Sequence, residues 1–278
     1  MSEKLLNHPK ALCNMVRRIA LEAGDLTLDY FEDSGYHGAD EKGDGSPVTE
    51  ADRAAEALIT KELQALTPSV PIVGEEAASE GHIPDLSGAD YFWLVDPLDG
   101  TKEFISGSGD YTVNIALIYK GHPILGAVYA PVPGEMYAGY TDPESGERRA
   151  VRYMDDSEKE RDIAVREAPS SGLYVVSSKN HGDNSRLEAY LADYKIAKVV
   201  KRGSSLKICA VAAGKADIYP RFGPTCEWDT AAADAVLRAA GGLVVDAATN
   251  EPLTYGHADR KFLNPEFIAA PLAHFDIE

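Results

Sequence analysis

The sequence predicts a layered α/β protein, and two patterns carry that reading. In the second half, short β-like runs alternate with helix-length apolar repeats, the rhythm of α/β layering. In the first half, two amphipathic helical stretches precede apolar runs bounded by glycine, proline and aspartate. The 278 residues, 44% of them hydrophobic, are enough for a full core in one large domain or two small ones.

Leu12, Val16, Ile19, Ala20 and Ala23 recur at three- and four-residue steps and predict a first helix, with Gly24 as an interruption. Residues 35–47 are rich in Gly, Asp and Ser and read as a mobile loop. A second helix begins near Thr49 and runs through Ala55, Leu58, Ile59 and Leu63, with Pro68 beyond its end. Residues 70–73 form a strand leading into Gly74-Glu75-Glu76, and residues 91–95 form one leading into Asp96-Pro97-Leu98-Asp99-Gly100-Thr101. Residues 111–119 and 123–130 read as a hairpin turning at Lys120-Gly121-His122. Residues 141–167 are dense in charge, and a boundary near 155 divides an N-terminal α+β half (1–155) from a C-terminal α/β half (156–278). Strands at 173–177, 197–200, 216–219 and 243–245 then alternate with helices at 185–191, 204–213 and 230–240, and Gly214 and Gly241 stand where helices end on glycine.

Forty-five acidic residues against 27 basic ones give a formal charge of −18. That excludes broad nucleic-acid binding, which needs a basic face, and argues against docking on anionic lipid. Cys13, Cys209 and Cys226 have neither disulfide nor zinc spacing, so a reducing compartment and a cytoplasmic protein are expected. No run of about 18 apolar residues occurs, so no membrane span is expected.

The chemistry-bearing residues are mostly acids. Asp96 and Asp99 follow an apolar strand, Glu75-Glu76 ends another, and Asp229 opens an alanine-rich helix. Each segment directs a carboxylate out of the end of an element, and hard oxygen donors gathered this way suit Mg²⁺ or Mn²⁺ rather than zinc. Gly100 lets backbone amides approach an anion, and Thr101 can orient an attacking water if a carboxylate such as Asp52 accepts its proton. Taken singly, Asp229 is equally a helix cap, Asp96-Pro97 a turn, Glu75-Glu76 a solvated pair and Asp52 a first-turn helix acid. The combination supports the metal site. Residues 40–51 fail as an EF-hand, because Lys42 stands at a ligand position and Ala51 where the closing Glu belongs. In the second half Ser204, Lys207 and Arg221 form a polar, cationic set suited to a second phosphate; each alone has an ordinary surface reading.

Trp93-Leu94-Val95-Asp96-Pro97-Leu98-Asp99-Gly100-Thr101 and Glu227-Trp228-Asp229-Thr230-Ala231-Ala232-Ala233 with Gly241-Gly242 resemble the two signatures of the inositol monophosphatase-like, lithium-sensitive phosphatases. Gly74-Glu75-Glu76 and Thr49-Glu50-Ala51-Asp52 are similar to two further family segments, in the family's order. Within the family, Lys102-Glu103-Phe104-Ile105, Gly203-Ser204-Ser205-Leu206-Lys207 and Tyr219-Pro220-Arg221-Phe222-Gly223-Pro224 look like the CysQ-type branch of bacterial 3'(2'),5'-bisphosphate nucleotidases. Inositol-specific members usually carry an acid where this chain has Arg221.

The resemblance implies an α-β-α-β-α sandwich with the site between the halves. It implies two or three Mg²⁺, replaceable by Mn²⁺, and inhibition by Li⁺. Glu75, Asp96 and the Leu98 carbonyl would hold one ion, and Asp96, Asp99 and Asp229 the second. Thr101 with Asp52 would activate water, the Gly100 and Thr101 amides would contact the scissile phosphate, and Glu76 would act through an outer water. Ser204, Lys207, Arg221 and His181 would hold the rest of the nucleotide, beside Glu75, Leu98, Asp99 and Asp229. The implied reaction converts adenosine 3',5'-bisphosphate to AMP and phosphate in sulfur assimilation, with 3'-phosphoadenylyl sulfate as a further substrate to test. The alternatives are an inositol or sugar monophosphatase and a non-catalytic nucleotide-binding protein. The implied setting is the cytoplasm or the inner face of its membrane, although the chain carries no basic amphipathic anchor. The sequence leaves oligomeric state undetermined.

Overall fold

Five layers, α-β-α-β-α, follow from where the apolar residues fall. The structure, a computed structural model, describes residues 3–31, 38–42, 47–178 and 185–275. The first layer is α1 (Pro9–Leu28) and α2 (Glu50–Leu66), which bury the predicted stripes Leu12-Val16-Ile19-Ala23 and Ala55-Ile59-Leu63 against one face of a sheet. α1 does not break at Gly24. The Tyr129 ring packs on that glycine, and a Cβ there would lie 2.4 Å from ring carbons, so Gly24 serves close packing rather than interruption. In the predicted loop, Asp40–Glu41 pairs with Pro47–Val48 as two-residue antiparallel strands, and residues 35–37 and 43–46 lie outside the described set.

Next come β1 (Ile72–Gly74), α3 (Glu75–Ser79), β2 (Tyr91–Asp99), α4 (Thr101–Ile105), β3 (Thr112–Tyr119), β4 (His122–Ala130), β5 (Glu135–Thr141), β6 (Arg148–Met154) and β7 (Lys159–Asp162). The seven strands form one sheet in chain order, β1 parallel to β2 and every later pair antiparallel. The central strands are covered on both faces, which is why they read as continuous apolar runs rather than alternating ones. β5, β6 and β7 lie outside the predicted elements. Towards that edge burial shrinks to Ala150 and Val151 in β6 and to nothing in β7, so charge density concealed strands whose outer row is solvated. The Asp155–Ser157 turn joins β6 to β7, at the position where the sequence reading divides the halves.

The chain continues through β8 (Leu173–Ser178), α5 (Ser185–Leu191), β9 (Ile196–Arg202), α6 (Leu206–Ala212), β10 (Tyr219–Arg221), α7 (Glu227–Ala239), β11 (Gly242–Asp246) and β12 (Phe267–Pro271). The strand predicted at 216–219 falls later in the chain, at β10, and β12 was not anticipated. α6 and α7 form the middle layer, between the large sheet and the second one, in which β10, β12 and β11 are antiparallel neighbours. β8 and β9 pair in parallel and join that layer by a bridge from Val175 to Ile218, while Tyr190 and Leu191 of α5 cover its outer face.

Burial on both sides explains the alanines of α7, because only small side chains let two sheets approach one helix. Gly126 of β4 marks the closest approach: a Cβ there would lie 2.1 Å from the Ala232 carbonyl oxygen. Gly126→Ala is therefore expected to push α7 off the sheet and destabilise the protein by about 1–3 kcal/mol, the usual range for overpacking. Thermal unfolding monitored by circular dichroism checks this, and an unchanged midpoint would refute it.

Candidate active site

Because β1 and β2 are parallel, both release the chain at the same edge of the sheet. β1 ends at Gly74, so Glu75 opens α3 there, and β2 ends through Asp96 and Asp99, where its register against β3 shifts. The N-terminal turn of α7 brings Asp229 to the same point from the middle layer. One carboxylate oxygen from each of Asp96, Asp99 and Asp229 lies within 4.8 Å of the others, and the Glu75 charge acts directly on Asp96. Strand ends and helix starts from distant parts of the chain thus gather four of the predicted acids.

Three of the acids divide their oxygens between fold and site. Asp96 Oδ1 accepts the Leu98 N–H at 3.0 Å, which fixes the turn after Pro97. Asp229 Oδ2 accepts the Cys226 N–H at 2.8 Å, closing the capping box of α7. Asp52 Oδ2 accepts from the Thr49 amide at 2.8 Å and hydroxyl at 2.5 Å, while its Oδ1 lies 3.2 Å from Thr101 Oγ1. The cap reading of Asp52 and Asp229 holds, and in Asp52 the second oxygen is left to meet Thr101. Thr101 Oγ1 also lies 3.4 Å from the Leu98 carbonyl oxygen. Gly100 adopts φ 106°, in the left-handed region that favours glycine, and begins the five-residue α4 against Asp110 and Tyr111.

The second half reaches across to these acids. Ser204 Oγ donates to Asp99 Oδ2 at 2.6 Å, and Ser205 Oγ lies 2.5 Å from the Asp229 carbonyl oxygen and 3.3 Å from Asp99 Oδ2. Lys207 Nζ donates to the Ser204 carbonyl at 2.5 Å. Gly100, Ser204, Lys207 and Arg221 line one cleft together with Asp99 and Asp229. Arg221 donates from Nη2 to the Pro224 carbonyl at 3.1 Å, and its buried Nε has no hydrogen-bond partner among the described residues. A half-buried guanidinium in the same cleft as a lysine fits an anionic group. His181 lies outside the described residues.

The electrostatics fit a divalent cation. Burial, then repulsion from Glu75, Asp99 and Asp229, raises the Asp96 carboxyl well above the usual carboxylate range. Burial, then Asp99 and Glu75, does the same to Asp229. Burial and the Glu75 charge lift Glu76 to about 7. Clustered oxygen donors that cannot all ionise alone suit a divalent cation, and Asp96, Asp99 and Asp229 each offer an oxygen close enough to the others to share one. Two neighbours were not anticipated. Lys42, read only as a flaw in an EF-hand, places Nζ 2.7 Å from Glu75 Oε1 and 2.8 Å from Glu76 Oε1. Ser205 carried no signal beyond adjacency to Ser204.

A carboxyl raised in the folded state stabilises the fold below its unfolded pKa, and that contribution is lost as pH rises through the folded value. Metal-free protein is therefore expected to lose stability as pH rises through the range above the ordinary Asp value of 3.8. Asp96→Asn should flatten that loss and raise the melting point at pH ~8 by about 2–4 °C per kcal/mol of relieved repulsion. Melting curves in EDTA at several pH values check this; a variant as pH-sensitive as the wild type would contradict it.

Comparison with known proteins bears on this arrangement. The model of the inositol monophosphatase family matches residues 9–274. The 3'(2'),5'-bisphosphate nucleotidase CysQ of Escherichia coli K12 is 43% identical over 256 residues, 92% of this chain and 98% of that protein. The crystal structure of CysQ from Bacteroides thetaiotaomicron superposes with a TM-score of 0.75 at 36% identity, covering 94% of this chain and 97% of that one. An inositol monophosphatase from Anabaena shares the fold, with a TM-score of 0.70 at 24% identity over 94% of this chain and 90% of that one. With its acids gathered at the ends of β1 and β2 and the start of α7, the chain belongs to the inositol monophosphatase family.

Proposed function

We propose that this chain is a Mg²⁺-dependent phosphomonoesterase that removes the 3'-phosphate of adenosine 3',5'-bisphosphate, giving AMP and phosphate, in sulfur assimilation. The observation that carries the reading is the shared cleft: Lys207 and Arg221 line it beside Asp99 and Asp229, so a second phosphate has cations to meet while the first reaches the acids. Relatives named 3'(2'),5'-bisphosphate nucleotidase, with 43% and 38% identity over nearly their whole length, support it.

When bound, Mg²⁺ supplies charge neutralisation at the phosphate and a more acidic attacking water. The protein's own groups position and deprotonate. Asp52, anchored by Thr49 and made more basic by burial, accepts the Thr101 proton, which leaves the Thr101 oxygen to receive a proton from water. Lys207, fixed by its bond to the Ser204 carbonyl, and Arg221 hold the retained 5'-phosphate. The Gly100 and Thr101 amides face the phosphate being cleaved. The phosphorus–O3' bond then breaks, and the ribose oxygen leaves with a proton from solvent. The same reading includes two or three ions at the acids, substitution by Mn²⁺, inhibition by Li⁺, and a cytoplasmic setting in keeping with three free thiols. No described helix is long and apolar enough to cross a membrane.

The test is phosphate release with Mg²⁺ from adenosine 3',5'-bisphosphate and inositol 1-phosphate at equal concentration. A strong preference for the nucleotide is expected, and a preference for the inositol ester would overturn the substrate assignment. Arg221→Glu is expected to raise KM for the bisphosphate at least about tenfold, the loss of one charged hydrogen bond, and to change KM for a nucleoside 3'-monophosphate far less. Equal effects on both substrates would remove Arg221 from the 5'-phosphate site.

A further inference from the structure

We propose that Glu56 is a positioning residue that sets the metal ligand Glu75, acting through the backbone of α3. The inference rests on the metal-dependent reading above. Glu56 sits on α2 one turn after Asp52 and is buried, yet none of the predicted roles uses it. Its Oε2 accepts the Glu76 N–H at 2.8 Å, and its Oε1 accepts the Ala77 N–H at 2.8 Å. Those are orphan amides of a five-residue helix whose own N-cap, Gly74, offers no side chain. The carboxyl also lies against the Gly74 backbone: a Cβ at 74 would come within 2.5 Å of it. One buried group thus fixes the turn before Glu75 and the two amides after it.

The two sides of the contact explain each other. Only glycine leaves room for the carboxyl, and only a carboxylate presents two acceptors to two parallel N–H groups. A glutamine would satisfy one amide and turn an NH₂ group towards the other. α2 therefore serves the site through two acids on one face: Asp52 faces Thr101, and Glu56 faces the helix that carries Glu75.

The experiment is Mg²⁺ binding by isothermal titration calorimetry without substrate, on wild type, Glu56→Gln and Glu56→Asp, with circular dichroism to confirm folding. Glu56→Gln is expected to weaken Mg²⁺ binding about 10–100-fold, the usual effect of removing a group that orients a ligand. Glu56→Asp, whose carboxylate is set back by one methylene, should fall between. At saturating Mg²⁺ kcat should change much less than the Mg²⁺ concentration giving half-maximal rate, a split that general loss of structure would not produce. A folded Glu56→Gln protein with wild-type Mg²⁺ affinity would overturn the proposal. If Glu56→Gln does not fold, the same criterion passes to Glu56→Asp. Wild-type protein that binds no Mg²⁺ would instead overturn the metal-dependent reading.

Discussion

Four acids held close together in a half-buried pocket repel one another, and much of the structure around β2 manages that repulsion. Asp96 bears the largest burden, because it is buried and faces Glu75, Asp99 and Asp229 at once. Backbone amides offset part of the cost. Asp96 and Asp229 each accept one N–H from a neighbouring turn, and Asp229 and Glu75 sit in first turns of helices, where the peptide dipoles favour negative charge. An oxygen used this way is fixed in direction, so its partner oxygen is fixed too. Anchoring for the fold and aiming for chemistry are the same act.

The site is also the seam between the two sheets. Ser204 and Ser205 arrive on the turn before α6, yet they bond to Asp99 on the large sheet and to the Asp229 backbone on α7. Behind them Thr112 meets Ser204 and Asn114, extending the polar contact into the sheet. The turn that carries the serines and the acids at the strand ends are therefore mechanically joined. A displacement of the turn that carries Lys207 would be felt at Asp99.

Much of this was legible in the sequence, and the exceptions share a cause. Continuous apolar runs revealed β2, β3 and β4 because those strands are buried on both faces. β6 escaped because its buried part is only Ala150 and Val151, one on each face, between Arg148-Arg149 and Arg152. Asp52, Thr101 and the acids could be named because their spacing follows strand ends and helix starts, which leave marks in sequence. Lys42 could not be, since a lysine among glycines and acids gives no sign of where its four-carbon stem will reach. Gly24 misled because glycine in a helix signals weakness locally, whereas here it records a tyrosine ring arriving from a strand some hundred residues later in the chain.

Ser204 has a consequence for how such a site persists. It holds φ 49°, a conformation that costs an ordinary residue about 1–2 kcal/mol and glycine almost nothing. Its hydroxyl is nonetheless what grips Asp99. Replacement by glycine would relax the backbone and remove the shorter of the two serine hydrogen bonds to Asp99 in one step. At this position backbone ease and the grip on Asp99 pull in opposite directions, so selection for a more durable protein alone would tend to erase the serine.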